Sequence, residues 1–240
     1  DTIRDKLLRL KSSLEVARRE GDGDVVAGNF VFKGSPGTGK TTVARILGKI
    51  LAQLNLLAKG DVVETSAQKL QAGYVGQTQD KVLELLQSAR GGILFVDEAY
   101  DLGIGQFGME AMNVLVAAMT EDQYRQTTIV FAGYSMEMDE MLNRNSGLKS
   151  RIKETITFPD WTVADCVACV LMLAEKESYE PLGSDVIRCF EEAFEILCTR
   201  PGWANGRDVI TLWRKAVDER RVRVASSTPA RKELHIEDVS

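Results

Sequence analysis

A glycine-rich loop between a predicted strand and a predicted helix constrains the fold of this chain more than any other feature. The loop runs from Gly34 to Thr41 and has the full G-x-x-x-x-G-K-[ST] pattern. An apolar run centred on Val31 precedes it, and helix-period sequence follows it from Thr42 to Leu47. Backbone N–H groups in such a loop converge on phosphates at a helix N-terminus, so an ordinary glycine turn is the poorer interpretation. The sequence therefore predicts an α/β protein that binds a nucleotide.

Strand-like runs recur at near-regular intervals along the N-terminal part of the chain. They are centred on Val31, Val63, Phe95, Val130 and Ile156, with helix-period sequence in each gap. This spacing is typical of βαβ units and predicts a parallel sheet. The runs Ile93–Val96 and Ile129–Ala132 are continuously apolar, as in strands covered by helices on both faces, so we expect these two to be innermost.

Helical patterns occupy the two ends of the chain. Residues 2–20 predict an amphipathic helix that ends at residues 21–23, and after Asp160 the pattern predicts helices around 162–178, 184–198 and 205–223. Asn205 is the predicted start of the last helix, whose buried stripe is Val209, Leu212, Trp213, Ala216 and Val217. We expect an ATPase domain over residues 1–160 and a helical lid domain over residues 161–240.

Charge, hydropathy and cysteine content indicate which partners and which cellular compartment the protein has. The 240 residues carry 30 Lys+Arg and 35 Asp+Glu, a net charge of −5, and no basic stripe interleaved with aromatics, which argues against a nucleic-acid partner. The longest apolar run, Cys166–Ala174, is far below the roughly 18 residues of a membrane span. Four clustered cysteines and no signal-like N-terminus predict a reducing, intracellular compartment: the cytoplasm, with nucleus or plastid as alternatives.

The cysteine pair Cys166 and Cys169 forms a C-x-x-C spacing inside an apolar helical stretch. Neither a turn nor a histidine lies near it. Free cysteine commonly behaves as a small buried hydrophobe, so we interpret the pair as core and not as a metal site.

Two carboxylates end the strand around Phe95. Asp97 and Glu98 follow the apolar run directly, and the carboxyl ends of parallel strands meet at one edge of a sheet. There Asp97 and the Thr41 hydroxyl can hold Mg²⁺, Lys40 can neutralise phosphate charge, and Glu98 can polarise a water for attack on the γ-phosphate of ATP. The pattern predicts hydrolysis as well as binding; an ordinary acidic strand end is the alternative.

Further segments follow in a fixed order and carry a family resemblance. The segments are Gly34-Ser35-Pro36-Gly37-Thr38-Gly39-Lys40-Thr41, Gly73-Tyr74-Val75-Gly76-Gln77-Thr78, Phe95-Val96-Asp97-Glu98-Ala99-Tyr100, Ala132-Gly133-Tyr134, Ser146-Gly147-Leu148-Lys149-Ser150-Arg151-Ile152 and Phe158-Pro159-Asp160. They resemble the AAA+ ATPases, and within them the subfamily of CbbX (red-type Rubisco activase) and the sporulation protein SpoVK. The resemblance implies a five-stranded sheet in order 5-1-4-3-2, a helical lid, and assembly into a ring of six subunits.

Two arginines acquire roles through this resemblance. Arg151 resembles the finger that reaches the γ-phosphate bound by a neighbouring subunit; a solvated loop charge is the alternative, and Arg144 is the other candidate finger. Arg207 resembles the lid arginine that contacts phosphates. It falls in the first turn of its helix, where the dipole disfavours a cation, so either a bound phosphate or Asp208 must supply an anion. The residues expected to contact the nucleotide are 34–42, which include Thr42.

An aromatic residue in a glycine-flanked segment is the candidate substrate contact. Tyr74, with Val75, resembles the pore loop of AAA+ translocases, whose rings grip an extended polypeptide; a tyrosine packed under its own loop is the alternative. Residues 101–108, with three glycines, are a candidate second pore loop. At the end of the fourth strand, Tyr134 stands where the wider superfamily has an asparagine that orients water, so the positioning of water is open.

The sequence thus favours an ATP-hydrolysing homo-oligomeric ring that remodels or threads a protein substrate, with ATP and Mg²⁺ as cofactors. The alternative is a nucleotide-sensing module of a larger protein that holds a ring together with little turnover. The intact Asp97-Glu98 pair argues against that alternative. Nothing in the residues identifies the client, and Rubisco is one candidate by resemblance.

Overall fold

A computed structural model describes residues 2–20, 25–71, 77–225 and 232–239. In chain order the elements are α1 (Ile3–Arg19), β1 (Asn29–Gly34), α2 (Lys40–Gln53), β2 (Val62–Ser66), α3 (Ala67–Leu70), α4 (Gln77–Ser88), β3 (Ile93–Asp97), α5 (Gly105–Ala118), β4 (Thr128–Gly133), α6 (Ser135–Arg144), α7 (Ser146–Lys149), β5 (Ile152–Phe158), α8 (Val163–Lys176), α9 (Ser184–Leu197) and α10 (Gly206–Val224). Short 3₁₀ helices lie at Ala99–Gly103, Asp122–Tyr124 and Ile236–Asp238.

The chain forms two compact units. One contains Asp1–Gly34 and Gly39–Phe158, and the other contains Ser35–Thr38 and Pro159–Ser240. The boundary between the two units therefore falls within the phosphate loop. Its residues Ser35–Thr38 belong to the second unit, called the helical unit below. The functional division into residues 1–160 and 161–240 stays a prediction.

A five-stranded parallel sheet forms the centre of the first unit. Its strand order is β2-β3-β4-β1-β5, which is the predicted order 5-1-4-3-2 seen from the other edge. All four neighbouring pairs are parallel, so the predicted sheet is confirmed. Strands β3 and β4 are interior as expected, and β1 is interior as well, because β4 and β5 pair with its two sides.

The two faces of the sheet bury separate cores. Phe30 and Phe32 of β1 pack on the face covered by α1 and α2, whereas Val31 between them packs on the face covered by α3 to α7. Alternation along a strand produces this division, and both faces are apolar because helices cover both. The apolar runs predicted as central strands therefore have a helical layer on each side.

The N-terminal helix α1 is defined by its cap and its apolar stripe. Thr2 and Asp5 form a reciprocal capping box, and Leu7, Leu10 and Leu14 are buried at helical spacing. The pattern predicted this helix. Its predicted end at residues 21–23 lies outside the described residues.

The helical unit has its own core. Trp213 of α10 is buried among Val170 of α8 and Phe190 and Phe194 of α9. Cys166 is buried in the same core, where burial and then the neighbouring Cys198 raise the pKa of its thiol to about 12. Burial also raises the pKa of Cys169. The described cysteines are free, and among the described residues no group of three His, Cys, Asp or Glu side chains is placed to hold a metal.

Asn205 differs from its prediction as the helix cap of α10. It precedes the first helical residue, Gly206, but its side chain makes no capping hydrogen bond, and its φ of 52° with ψ of −125° is unlike the extended backbone of most N-caps. Its amide is instead occupied by partners outside the helix, described below. Within the described ranges, no helix is both long and apolar enough to cross a bilayer.

Candidate active site

The phosphate loop leads from β1 into α2 as the sequence predicts. Gly39 immediately precedes the helix with a φ of 97°, a conformation open to glycine, and it has no side chain to cap the helix. The first N–H groups of α2 therefore have no intrahelical acceptor, and no acidic residue lies in the first turn. The dipole of this 14-residue helix favours an anion at that end.

Lys40 lies against the start of the loop. Its Nζ donates a hydrogen bond to the carbonyl oxygen of Gly34 at 2.7 Å, which holds the ammonium beside the loop backbone. Thr41 and Thr42 follow it in the first helical turn, where Thr41 is half-buried and Thr42 is exposed. A positive charge, a hydroxyl and helix N–H groups without an intrahelical acceptor thus lie on consecutive residues, as phosphate binding requires.

Two loop glycines are required by close approach of the backbone. A Cβ at Gly34 would collide with the carbonyl oxygen of Phe158, and one at Gly37 would collide with that of Ala204. Gly37 also has a φ of 72°. The motif's glycines therefore serve packing inside each unit as well as access to phosphate.

Asp97 and Glu98 lie on the sheet edge from which the phosphate loop emerges. Val96 of β3 and Val31 of β1 both pair with Phe131 of β4. The carboxyl ends of β3 and β1 therefore lie at the same end of the sheet, one strand apart. Asp97 is half-buried, and its Oδ1 accepts a hydrogen bond from the backbone N–H of Glu98 at 3.0 Å. The parallel topology thus brings together the two motifs that the sequence separates.

The Glu98 side chain is exposed, and its backbone is strained. Its φ of 51° and ψ of 38° lie in the left-handed region, which a glutamate seldom adopts. Strain of this kind persists where the surrounding structure imposes it, and it is concentrated at functional sites. The conformation ends β3 abruptly and begins the 3₁₀ helix at Ala99.

Oxygen donors of the types that Mg²⁺ prefers are present. Asp97 offers a carboxylate and Thr41 a hydroxyl, and Mg²⁺ is commonly held by one or two such protein ligands together with substrate phosphates and water. This donor set fits the predicted cofactor. No cage of three carboxylates is required.

Two tyrosines stack next to Glu98. The rings of Tyr100 and Tyr134 are 5.8 Å apart at an interplanar angle of 28°. Burial and then the negative charge of Glu98 raise the pKa of Tyr100 to about 12. Tyr134, at the end of β4, is 41% exposed, so a polar hydroxyl group stands at the position where the sequence left the orientation of water open.

Arg151 is not a freely solvated loop charge. It is half-buried, its NH1 group donates to the carbonyl oxygen of Gly147 at 2.8 Å, and its Nε is buried without a hydrogen-bond partner. Arg144, the other candidate finger, is 63% exposed and pairs with Glu140 at 3.0 Å. The solvated interpretation therefore describes Arg144 better than Arg151, while the finger role stays a prediction.

Arg207 lies exposed in the first turn of α10. The carboxylate of Asp208 accepts a hydrogen bond from the backbone N–H of Ala204 at 2.9 Å, across the start of the helix. Asp208 is therefore engaged with the helix end and forms no ion pair with Arg207 among the described residues. The role of Arg207 as a phosphate contact stays a prediction.

The predicted pore-loop residues Tyr74 and Val75 lie outside the described residues. Residues 101–108, the candidate second pore loop, are largely helical: they span the end of a 3₁₀ helix and the first turn of α5. The expectation of a loop there was wrong. Glycines predicted it, but Gly108 is buried against the backbone of Asp101 and Leu102, where a Cβ would not fit.

Sequence reasoning missed the part that Asn205 plays beside the loop. Its amide contacts the carbonyl oxygen of Pro36, a loop residue 169 positions earlier in the chain. The Asn205-Gly206 pair is a turn signal, because asparagine tolerates a positive φ, and it could have indicated an irregular backbone. Nothing local indicates the partner.

Comparisons with known proteins agree with these features. The family model described as ATPase family associated with various cellular activities (AAA) matches residues 30–160. Stage V sporulation protein K of Bacillus subtilis (strain 168) is 42% identical over 155 residues, 63% of this chain and 48% of that protein. Chloroplastic ribulose bisphosphate carboxylase/oxygenase activase of Cyanidioschyzon merolae is 35% identical over 208 residues, 84% of this chain and 69% of that protein.

Solved structures give the same fold. Thermotoga maritima RuvB, described as a Holliday junction branch migration motor, superposes with a TM-score of 0.67 at 22% identity, over 99% of this chain and 67% of that one. At this identity the likeness shows the fold alone. The chain spans about half the length of the sporulation protein and 69% of the activase. The predicted family resemblance is confirmed.

Proposed function

The chain belongs to the AAA ATPase family, and we propose that it hydrolyses ATP within a homo-oligomeric ring and uses that energy to remodel a protein substrate. The observation that carries the proposal is the common sheet edge of the phosphate loop and the Asp97-Glu98 pair, one strand apart across β4. A site with both elements can bind a triphosphate and also activate water.

Each residue has a distinct role in this proposal. The N-terminus of α2 and the Lys40 ammonium bind the β- and γ-phosphates, and residues 34–42 surround them. Thr41 and Asp97 would hold Mg²⁺, which offsets phosphate charge when bound. Glu98 orients a water and accepts its proton; its exposure and its lack of a capping bond leave the carboxylate accessible. Arg207 contributes a further positive charge toward the phosphates.

Arg151 completes the site of a neighbouring subunit in this proposal. Its guanidinium has unused hydrogen-bonding capacity at Nε, so a shift away from Gly147 would expose a preformed donor set. A finger supplied from a neighbour makes hydrolysis depend on assembly. A ring of six subunits is the form that the family resemblance favours.

Protein remodelling is the proposed output. Tyr74 and Val75 lie between two glycines, and an aromatic ring can grip a polypeptide without reading its sequence. One relative is named an activase of ribulose bisphosphate carboxylase/oxygenase, so a folded protein complex is the proposed class of client. The net charge of −5 favours a protein over a nucleic acid, and we place the protein in a reducing, intracellular compartment.

Steady-state ATP hydrolysis against protein concentration tests the proposal. Turnover per subunit should rise as rings form, and size measurements with and without ATP should show the same transition. Lys40→Ala should abolish both binding and turnover. A low rate that does not depend on concentration would instead support the nucleotide-sensing alternative.

Tyr74→Ala tests the remodelling step separately. The variant should hydrolyse ATP at the wild-type basal rate but lose the ability to unfold a tagged model substrate. Tyr179→Phe, a tyrosine change in the helical unit, is the matched control. Remodelling by Tyr74→Ala at the wild-type rate would remove Tyr74 from the mechanism.

A further inference from the structure

The side chain of Asn205 is buried and uses its full hydrogen-bonding capacity. Its Oδ1 accepts from the backbone N–H of Trp161 at 2.7 Å and from Nε1 of Trp203 at 3.1 Å. Its Nδ2 donates to the carbonyl oxygen of Pro36 at 3.0 Å and to Oδ1 of Asp160 at 3.1 Å. All five residues belong to the same compact unit. The amide therefore joins the phosphate-loop segment to the helical core around it.

A second contact holds the next loop peptide. The backbone N–H of Gly206 donates to the carbonyl oxygen of Gly37 at 3.1 Å. A Cβ at Gly206 would lie 2.8 Å from the ring of Trp161 and 3.0 Å from the Gly37 oxygen, so only glycine fits there without displacement. Two consecutive loop carbonyls, those of Pro36 and Gly37, are thus both held by the start of α10.

Holding these carbonyls fixes the direction of the N–H groups on the same peptides. A trans peptide is planar, with C=O and N–H on opposite sides, and the described chain has no cis peptide. The Pro36 carbonyl belongs to the peptide whose N–H is that of Gly37, and the Gly37 carbonyl to the peptide whose N–H is that of Thr38. Both N–H groups therefore point away from α10, as a concave anion-binding backbone requires.

The backbone of Asn205 shows that this contact is maintained against strain. A φ of 52° with ψ of −125° is a conformation that favours glycine, and asparagine at this point gives up the helix-capping bond it ordinarily makes. Non-glycine residues retain such conformations where the surroundings impose them, commonly at ligand-binding sites.

We propose that Asn205 is a positioning residue for phosphate binding: its amide orients the Gly37 N–H group toward the ligand, next to the Thr38 N–H that the Gly206 contact orients, and couples occupancy of the loop to Trp161 and Trp203. The inference rests on the proposed nucleotide site and adds to it a residue that never contacts the nucleotide. A change in the Pro36 peptide on phosphate binding alters the same amide that receives the Trp203 Nε1–H. Tryptophan emission therefore reports occupancy of the loop.

The decisive variant is Asn205→Asp, which has the same shape. It keeps both acceptor contacts with the tryptophans but replaces both donors with a carboxylate that faces the Pro36 carbonyl and Asp160. We expect the KM for ATP and the Kd for tripolyphosphate to rise about tenfold or more, with kcat changed less than about threefold. The split arises because the phosphate loop is misdirected while Glu98 and its surroundings are unchanged.

The double variant Asn205→Asp with Asp160→Asn is the matched control. It restores an amide-to-carboxylate hydrogen bond between the two positions but leaves the Pro36 carbonyl without its donor. Thermal stability should recover toward the wild-type value while KM stays raised. The double variant also keeps the test valid if Asn205→Asp alone does not fold.

Fluorescence provides the third measurement. Tripolyphosphate should change the tryptophan emission of the wild-type protein, and Trp203→Phe should remove most of that change while ATP still binds. Wild-type affinity in Asn205→Asp, or recovery of both stability and affinity in the double variant, would overturn the inference. If the wild-type protein itself binds no ATP, the proposed nucleotide site fails, which is a different result.

Discussion

Glu98 and Asn205 share a positive φ, and their side chains have opposite environments. Each is a non-glycine residue at positive φ, 51° and 52° respectively, and each stands directly before a helix without capping it. The carboxylate of Glu98 is exposed, whereas the amide of Asn205 is buried with four hydrogen bonds. A positive φ thus accompanies a reactive group in one place and a side chain that holds a binding loop in the other, although the ψ values of 38° and −125° differ.

This difference distinguishes side chains that take part in the reaction from side chains that fix the position of a backbone segment. A group that must accept a proton has to be reachable and cannot have its lone pairs occupied. A group that fixes a backbone must have every partner in place, because a buried amide with a missing partner is costly. Burial and hydrogen-bond saturation, read together, therefore distinguish the two roles where the backbone angle cannot.

Substitution of Arg151 should have the largest effect. Its side chain is held by a hydrogen bond to a backbone carbonyl, as that of Asn205 is, but it is proposed to take part in hydrolysis, as Glu98 is. Arg151→Ala should lower turnover by about 10³ to 10⁵, as for arginine fingers in other nucleotide hydrolases, while ATP binding persists. Steady-state hydrolysis and ATP binding measure the two effects. Arg144→Ala, which removes an exposed arginine paired with Glu140, is the control and should change turnover little.

Mixing variants shows whether Arg151 acts across subunits. Arg151→Ala keeps its own nucleotide site, and Lys40→Ala keeps its own finger. A mixture of these two inactive proteins should recover part of the activity. A mixture without activity, or normal turnover by Arg151→Ala alone, would contradict the proposed role.

Glu98→Gln should produce the next largest effect. The amide cannot accept a proton from water, so kcat should fall by about 10² to 10⁴ while the Kd for ATP stays within about twofold. Single-turnover hydrolysis together with calorimetric ATP binding would measure this. Glu195→Gln, at an exposed position of α9, removes an equal charge and should have no effect. Hydrolysis by Glu98→Gln at the wild-type rate would assign water activation to another group.

Glycine at each strained position compares the two roles through stability. Glu98→Gly relieves backbone strain and loses no buried contact, so the free energy of unfolding should rise by about 1 kcal/mol. Asn205→Gly also relieves backbone strain but removes four hydrogen bonds, so the free energy of unfolding should fall by about 2 kcal/mol or more. Denaturant unfolding followed by circular dichroism measures both. Equal shifts at the two positions would show that the Asn205 amide contributes little.

Tyr100 should give the smallest effect, visible only in alkali. Burial and Glu98 raise its pKa from the ordinary value of 10 to about 12, so the folded state keeps the proton longer than the unfolded chain does. The resulting stability is fully present below pH 10 and is lost as the pH rises toward 12. Tyr100→Phe should flatten this loss in a pH series of melting temperatures. An unchanged slope would mean that the Tyr100 hydroxyl is solvated.

Much of the fold could be predicted because its signals are local. The helix α1 was visible from the spacing of Leu7, Leu10 and Leu14, and each strand from a short apolar run. Residues 101–108 show the limit of such signals, since their glycines predicted a loop where the backbone is mostly helical. Gly108 is needed there because a larger residue would collide with the backbone of Asp101. Composition alone does not distinguish a glycine required by close packing from one required by a flexible loop.

The sequence by itself determined the phosphate loop, the paired carboxylates Asp97 and Glu98, and the parallel sheet that joins them, because each depends on residue types at fixed short spacing. Only the tertiary structure decided that Asn205 contacts Pro36, 169 positions away, and that the backbone N–H of Gly206 contacts the carbonyl oxygen of Gly37. Such contacts depend on which surfaces meet after folding, and a hydrogen bond carries no signature in the sequence of its distant partner.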